Sequence, residues 1–74
     1  MKKLTLEEAI ELYDKGSVAF EGVYDACETD LEFYNFLCNH VGISDVKETM
    51  RLVSGADDAY YNALAMAEAE EFSL

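Results

Sequence analysis

The chain has 74 residues, of which 51% are hydrophobic, and its 16 Asp and Glu against 5 Lys and Arg give a net charge of −11. This chain is apolar enough to fold and long enough for one small domain, so we expect a single acidic helical domain spanning residues 1–74. The charge disfavours direct binding to DNA, RNA or an anionic membrane, and it favours a partner with a basic surface.

The first helix has a marked beginning and end. Thr5 and Glu8 form a T-x-x-E capping box, and Gly16 is typical of the position just beyond a helix C terminus. We therefore predict a helix from Thr5 to about Lys15. One of its sides is apolar, and another carries a line of three acids: Glu7, Glu11 and Asp14.

The second segment carries two parallel stripes. An apolar stripe recurs at alternating intervals of four and three, as in a heptad repeat: Phe20, Tyr24, Cys27, Leu31, Tyr34, Cys38 and Val41. One position further along, acids recur in the same way: Glu21, Asp25, Glu28 and Glu32. Residues three and four apart are neighbours on a helix, with Cβ atoms about 5–6 Å apart. The acids are therefore expected to form a line at roughly the spacing of phosphates, with no Lys or Arg between Lys15 and Lys47 to neutralise it.

The continuity of this second helix decides how long the acidic line is. Ser17 can cap the helix, and Gly42 can end it. Thr29 and Glu32 form another capping-box sequence, which favours a break near Thr29. Because the heptad spacing persists across Thr29, the prediction is one continuous helix to about Val41. A break would divide the acidic line into two shorter segments.

Two further helices complete the prediction. Ser44 can cap a short helix that runs to about Val53, and Asp57 or Asp58 can begin a last helix that reaches about Phe72. No useful stretch alternates with a period of two, so a sheet is not expected. The predicted fold is all-α: a small compact bundle of about four helices around a long central helix.

Several acids stand where they cost free energy. Glu68, Glu70 and Glu71 are in the last turns of the final predicted helix, where the helix dipole disfavours each by about 0.3–1 kcal/mol. Like-charge neighbours along the second helix cost about 0.2–0.5 kcal/mol each. Solubility requires a net charge of only about 2–8 in a small domain. The excess charge has two interpretations, solubility alone or a functional acidic face, and its alignment favours the second.

No pattern in the sequence indicates catalysis, a metal or a cofactor. Cys38 and His40 are two residues apart, so on a helix they point in different directions and cannot easily share a zinc ion with Cys27. On one continuous helix Cys27 and Cys38 would be about 16 Å apart, too far for a disulfide. Neither a secretory signal nor a membrane span is recognisable. We expect a cytoplasmic protein that is not an enzyme.

In size, charge and predicted helicity the chain resembles the small acidic proteins with which mobile genetic elements inhibit restriction or CRISPR effectors. This resemblance implies a nucleic-acid mimic that occupies the cationic groove of a DNA- or RNA-binding protein. The predicted partner-binding residues are the acids of the second helix, in place of phosphates, extended by those of the first and last helices: Glu21, Asp25, Glu28, Glu32, Glu7, Glu11, Asp14, Glu68, Glu70 and Glu71.

The alternative function is a helical adaptor or homodimeric assembly module that binds through an apolar surface. Phe33 and Phe36 lie beside the heptad stripe, and Tyr61 is in the last predicted helix. Phe33 and Phe36 either widen the core or anchor a partner, since aromatic side chains dominate binding hot spots. In the adaptor or dimer hypothesis, Tyr61 joins them as a partner-binding residue.

Overall fold

A computed structural model describes residues 4–72, with the side chains of residues 71 and 72 left undescribed. Within this range the protein is all-α, as predicted, and contains five α-helices. They are α1 (Leu6–Asp14), α2 (Phe20–Ala26), α3 (Asp30–Asn35), α4 (Val46–Ser54) and α5 (Ala59–Phe72). A π-helical segment, Phe36–Val41, continues α3 directly.

Most helix ends lie where the sequence predicts them. Thr5 caps α1 in a complete capping box, with the Glu8 amide donating to Thr5 Oγ1 at 3.2 Å and the Thr5 amide donating to Glu8 Oε1 at 3.1 Å. The π-helical segment ends at Gly42, whose φ of 75° is in the left-handed region that glycine adopts without strain. Two of the predicted N-caps are wrong: Ala19 precedes α2 in place of Ser17, and Asp45 caps α4 in place of Ser44.

The long central helix is a wrong prediction. Cys27 and Thr29 have extended backbone conformations, so α2 ends at Ala26 and α3 begins at Asp30. The Thr29 hydroxyl accepts a hydrogen bond from the Glu32 amide at 3.2 Å, as the second capping-box sequence predicted. The acidic line is therefore divided, with Glu21 and Asp25 on α2, Glu32 on α3 and Glu28 between the two helices.

The cap at Thr29 gives a direct test of this break. Replacing Thr29 with Ala removes the acceptor of the Glu32 amide, and we expect a loss of about 1 kcal/mol of unfolding free energy. Thr29→Ser keeps the hydroxyl and should stay close to wild type. Urea unfolding followed by circular dichroism measures both variants. Equal stability of the Ala and Ser variants would contradict a cap at this position.

The break also changes which residues form the core. The apolar stripe is mostly half-buried, whereas the main core cluster consists of Ala9, Val23, Ala26, Phe33, Phe36, Leu37, Val46, Met50, Ala59 and Ala63. In this core α1 packs on α2, α3 packs on α5, and α4 contacts α5 and α2. Phe33 and Phe36 are among its members, which confirms the interpretation that they widen the core.

Gly22 has a packing role in the first turn of α2. A Cβ at this position would lie 2.9 Å from the Cβ of Val18, closer than side-chain atoms pack. Glycine costs about 1 kcal/mol relative to alanine in a helix. Here its missing side chain lets the segment before α2 return against the helix, and any larger residue would have to displace Val18.

Candidate functional site

The turn between α2 and α3 gathers acidic side chains at one place on the surface. We call the four residues Asp25, Glu28, Asp30 and Glu32 the acidic corner. Asp25 is in the last turn of α2, Glu28 is in the turn, and Asp30 and Glu32 are in the first turn of α3. Asp25 and Glu28 are exposed, and Asp30 and Glu32 are half-buried. The broken helix thus places the acids as a cluster around a bend.

One cleft runs between the acidic corner and α5. We call it the α5 cleft; it has a volume of about 680 Å³. Its lining combines carboxylates with an apolar surface: Tyr24, Asp25, Cys27, Glu28, Thr29, Asp30, Asn62, Ala65 and Met66. Three acids therefore share this cleft with the three apolar side chains of Cys27, Ala65 and Met66.

A second cleft lies on the other side of the corner, against the beginning of α1. It has a volume of about 640 Å³ and is lined by Leu4, Thr5, Leu6, Glu7, Ala26, Glu28 and Glu32. Glu7 of α1 is thus brought beside Glu28 and Glu32, although it is more than 20 positions away in sequence. Glu28 lines both clefts, so it connects the two acidic surfaces.

Asp30 is a member of the site that the sequence analysis missed. Its Oδ1 accepts a hydrogen bond from the Tyr24 hydroxyl at 3.1 Å, and its Oδ2 accepts one from Nδ2 of Asn62 at 3.5 Å. Burial raises the pKa of the Tyr24 hydroxyl, and the hydrogen bond to Asp30 raises it further. Asp30 therefore joins α2, α3 and α5 around the α5 cleft. Asp30 lies within the Thr29–Glu32 capping-box sequence, and this position is the sequence feature that could have identified it as part of the site.

Glu32 has a structural contact that the mimic prediction did not include. Its Oε1 accepts a hydrogen bond from the backbone amide of Glu28 at 3.1 Å. This contact holds the bend together with the Thr29 cap. Glu32 is half-buried, whereas Asp25 and Glu28 are exposed, so the Glu32 carboxylate adds negative charge to the site but is less accessible to a partner.

The acids of α1 are exposed, but they do not form a uniform line. Glu7 lines the second cleft, and Glu11 lines neither of the two clefts. Asp14 contacts His40 of the π-helical segment, with the imidazole Nε2 donating to Asp14 Oδ1 at 2.7 Å. The His40 ring also stacks on Phe36, with 5.4 Å between the centroids. His40 therefore ties α1 to the π-helical segment.

The acids of α5 are a separate part of the predicted surface. Glu68 and Glu70 are exposed and line neither cleft. The side chain of Glu71 lies outside the described residues. The structure thus brings Glu7, Asp25, Glu28 and Glu32 together, and leaves Glu21 on α2 one turn before Asp25.

Among the described residues, no basic side chain lines either cleft. Lys47 and Arg51 are on α4, where the Lys47 ammonium donates to the Tyr61 hydroxyl at 2.6 Å and lies 4.8 Å from the centre of that ring. Arg51 pairs with Glu48 through an Nε–Oε2 hydrogen bond of 3.1 Å, and this contact lowers the pKa of the Glu48 carboxyl. The cations of α4 are therefore engaged within α4 and α5.

No group of metal ligands is found among residues 4–70. No three Cys, His, Asp or Glu side chains in this part of the chain are arranged to hold a metal ion. Cys27 and Cys38 are half-buried and are not joined by a disulfide. The neighbouring Cys38 thiol raises the pKa of the Tyr34 hydroxyl.

No protein-family model matches the chain, and neither a curated protein nor a solved structure is similar to it. None of the helices in the described range combines the length and the apolar character needed to cross a bilayer. The function is therefore inferred from the acidic corner and its two clefts.

Proposed function

We infer that this protein is a small acidic inhibitor that mimics nucleic acid and blocks the cationic groove of a DNA- or RNA-binding protein. In size, charge and helicity the chain resembles the small acidic proteins with which mobile genetic elements inhibit restriction or CRISPR effectors. The proposed site of action is the cytoplasm, where such effectors meet their nucleic acids.

The observation that carries this proposal is the unneutralised charge around the α2–α3 bend. Five acids line the two clefts there: Glu7, Asp25, Glu28, Asp30 and Glu32. No Lys, Arg or His among residues 4–70 lines either cleft. Like charges brought together in this way repel, and a basic partner relieves the repulsion. A cationic groove is the kind of surface that satisfies several carboxylates at once.

The bend changes the form of the proposed mimicry. A straight helix offers a row of carboxylates, whereas α2 and α3 present two short acidic segments that meet at Glu28. The surface therefore resembles a bent or clustered arrangement of phosphates more than an extended strand. Glu21 and Asp25 form one segment, Glu28 and Glu32 form the other, and Glu7 adds to the second from α1.

A block change of four carboxylates to amides tests the proposal. The variant Glu21→Gln, Asp25→Asn, Glu28→Gln, Glu32→Gln removes four negative charges and keeps side-chain size. The new side-chain amide at position 32 keeps an oxygen that can accept the hydrogen bond from the backbone amide of residue 28.

Immobilised wild-type protein is expected to retain a nucleic-acid-binding protein from a cytoplasmic extract. Excess duplex DNA or RNA should release that protein, and so should salt raised from about 50 to 200 mM. The block variant should retain it at least about tenfold less well.

A matched pair of double variants separates local from overall charge. Glu21→Gln with Asp25→Asn removes two charges at α2, and Asp57→Asn with Asp58→Asn removes two exposed charges before α5. The first pair should weaken retention more than the second. If the folded block variant retains the same protein as well as wild type does, the mimic proposal is wrong.

The second candidate function, an adaptor or homodimeric module, is favoured by two exposed apolar side chains. Leu52 of α4 is 67% exposed and Tyr61 of α5 is 54% exposed. Phe33 and Phe36, the other residues named for this function, are buried and cannot serve as surface anchors. Retention that survives high salt and the block change, but is lost on Leu52→Ala and Tyr61→Ala, would favour this alternative.

A further inference from the structure

The α5 cleft differs from an ordinary solvated acidic surface because apolar side chains line it beside the carboxylates. Ala65 and Met66 of α5 and Cys27 of the bend face the same cleft as the carboxylates of Asp25 and Glu28. Asp25 and Glu28 are exposed, whereas Asp30 has both oxygens engaged by Tyr24 and Asn62. The cleft thus combines an apolar lining, two accessible carboxylates and a third carboxylate that is held by hydrogen bonds.

This combination matches the two parts of a long basic side chain. Lys and Arg carry a methylene stem that packs on apolar surface and a charged head that seeks carboxylates or water. Arginine fits better, because its planar guanidinium offers several N–H donors to two carboxylates at once and is weakly hydrated. Its abundance in phosphate-binding grooves also suits a partner that normally binds nucleic acid.

We propose that the α5 cleft is the anchor point for an arginine-bearing segment of the partner. The arginine stem lies on Ala65, Met66 and Cys27, and its guanidinium is held by Asp25 and Glu28. The proposal rests on the proposed function and specifies which groups of the basic partner are recognised.

Charge selects this occupant over the other candidates. A second copy of the chain brings another net charge of −11, and nucleic acid brings phosphates, so both are repelled by the carboxylates that line the cleft. An uncharged apolar segment would bury Asp25 and Glu28 without a partner, which is costly. A basic segment with a long methylene stem can contact the apolar side chains and pair with the carboxylates of the cleft at the same time.

Two alanines of α5 provide a matched test. Ala65 lines the cleft, and Ala69, one turn further along, is exposed and does not line it. Ala65→Arg supplies an arginine in cis that fills the cleft and pairs with its acids, whereas Ala69→Arg makes the same charge change outside it. The probe is a fluorescent nonapeptide that alternates Arg and Ala, with a Lys version for comparison, and anisotropy measures binding at low salt.

We expect wild type to prefer the Arg peptide to the Lys peptide. Ala65→Arg should bind the Arg peptide about tenfold more weakly than Ala69→Arg does, and it should lose the preference for Arg over Lys. Circular dichroism of both variants checks folding. If Ala65→Arg is less helical than Ala69→Arg, Ala65→Gln, which fills the cleft without adding charge, is expected to show the same loss of preference.

The outcomes separate this proposal from the proposed function. Equal affinities of Ala65→Arg and Ala69→Arg, or no preference for Arg in wild type, would overturn the arginine anchor and leave a general acidic mimic in place. Unchanged binding by the block amide variant of Glu21, Asp25, Glu28 and Glu32 would overturn the mimic itself.

Discussion

Phe33→Ala should lower the free energy of unfolding by about 3–5 kcal/mol, the usual cost of removing a buried aromatic ring. Phe33 is 0% exposed. Its ring centroid lies 5.0 Å from that of Tyr24 in an edge-on arrangement and 6.1 Å from that of Phe36 in a stacked one. Since small domains have only about 5 kcal/mol or slightly more of net stability, we expect this variant to be largely unfolded at room temperature.

The control for Phe33→Ala is Tyr61→Ala. Tyr61 is an aromatic residue of the same predicted anchor set, but it is 54% exposed and its main contacts are with Lys47 and Tyr60. We expect Tyr61→Ala to change stability by less than about 1 kcal/mol. Thermal and urea unfolding followed at a helix-sensitive wavelength compares the two. A Phe33→Ala variant as stable as Tyr61→Ala would show that Phe33 is outside the core.

Leu37→Ala should cost about 2–5 kcal/mol, because Leu37 is 0% exposed in the centre of the core. The backbone carbonyl of Leu37 also accepts hydrogen bonds from the amides of Gly42 at 2.9 Å and Ile43 at 3.3 Å, which close the π-helical segment. Truncating the side chain keeps those bonds, so the expected loss comes from the cavity and from the buried apolar surface. Chemical denaturation of the variant measures it.

The neighbouring residue Cys38 is the matched control. The heptad stripe assigns the buried position to Cys38, whereas in the structure Cys38 is half-buried and Leu37 is fully buried. Cys38→Ala should therefore cost less than about 1.5 kcal/mol, well below the cost of Leu37→Ala. The reverse order of the two costs would support the continuous helix and contradict the bend at Thr29.

These variants also bear on function, because they separate residues that hold the fold from those that can meet a partner. Phe33 anchors α3 in the core, and Leu37 anchors the π-helical segment there. Because α3 packs on α5, these two residues also fix the position of the acidic corner relative to α5. A loss of binding in either variant would report on folding. Asp25, Glu28 and Ala65 are exposed, so changes there can alter binding while the fold is retained.

The sequence determined the fold class and most of the helix ends. Several features are local, set by residues a few positions apart. They are the Thr5–Glu8 capping box, the glycine that follows each of α1, the π-helical segment and α4, and the pairing of Glu48 with Arg51. Such features depend mainly on backbone hydrogen bonding and on conformational preference, and neighbouring residues suffice to satisfy them. The acidic character of the candidate site could be predicted for the same reason, since it follows from composition.

Tertiary structure decided the bend at Cys27–Thr29, where two local signals disagreed. The heptad stripe favoured a continuous helix, and the Thr29–Glu32 capping box favoured a break. In the folded chain the break lets Val23, Ala26, Phe33 and Leu37 enter one core, and Asp30 reaches Tyr24 and Asn62 across three helices. Burial of these side chains outweighs a spacing pattern whose positions are mostly half-buried. Both clefts result from that packing, because each joins residues that are distant in sequence. The packing brings Glu7 near Glu28 in one cleft, and it brings Ala65 and Met66 near Asp25 in the other.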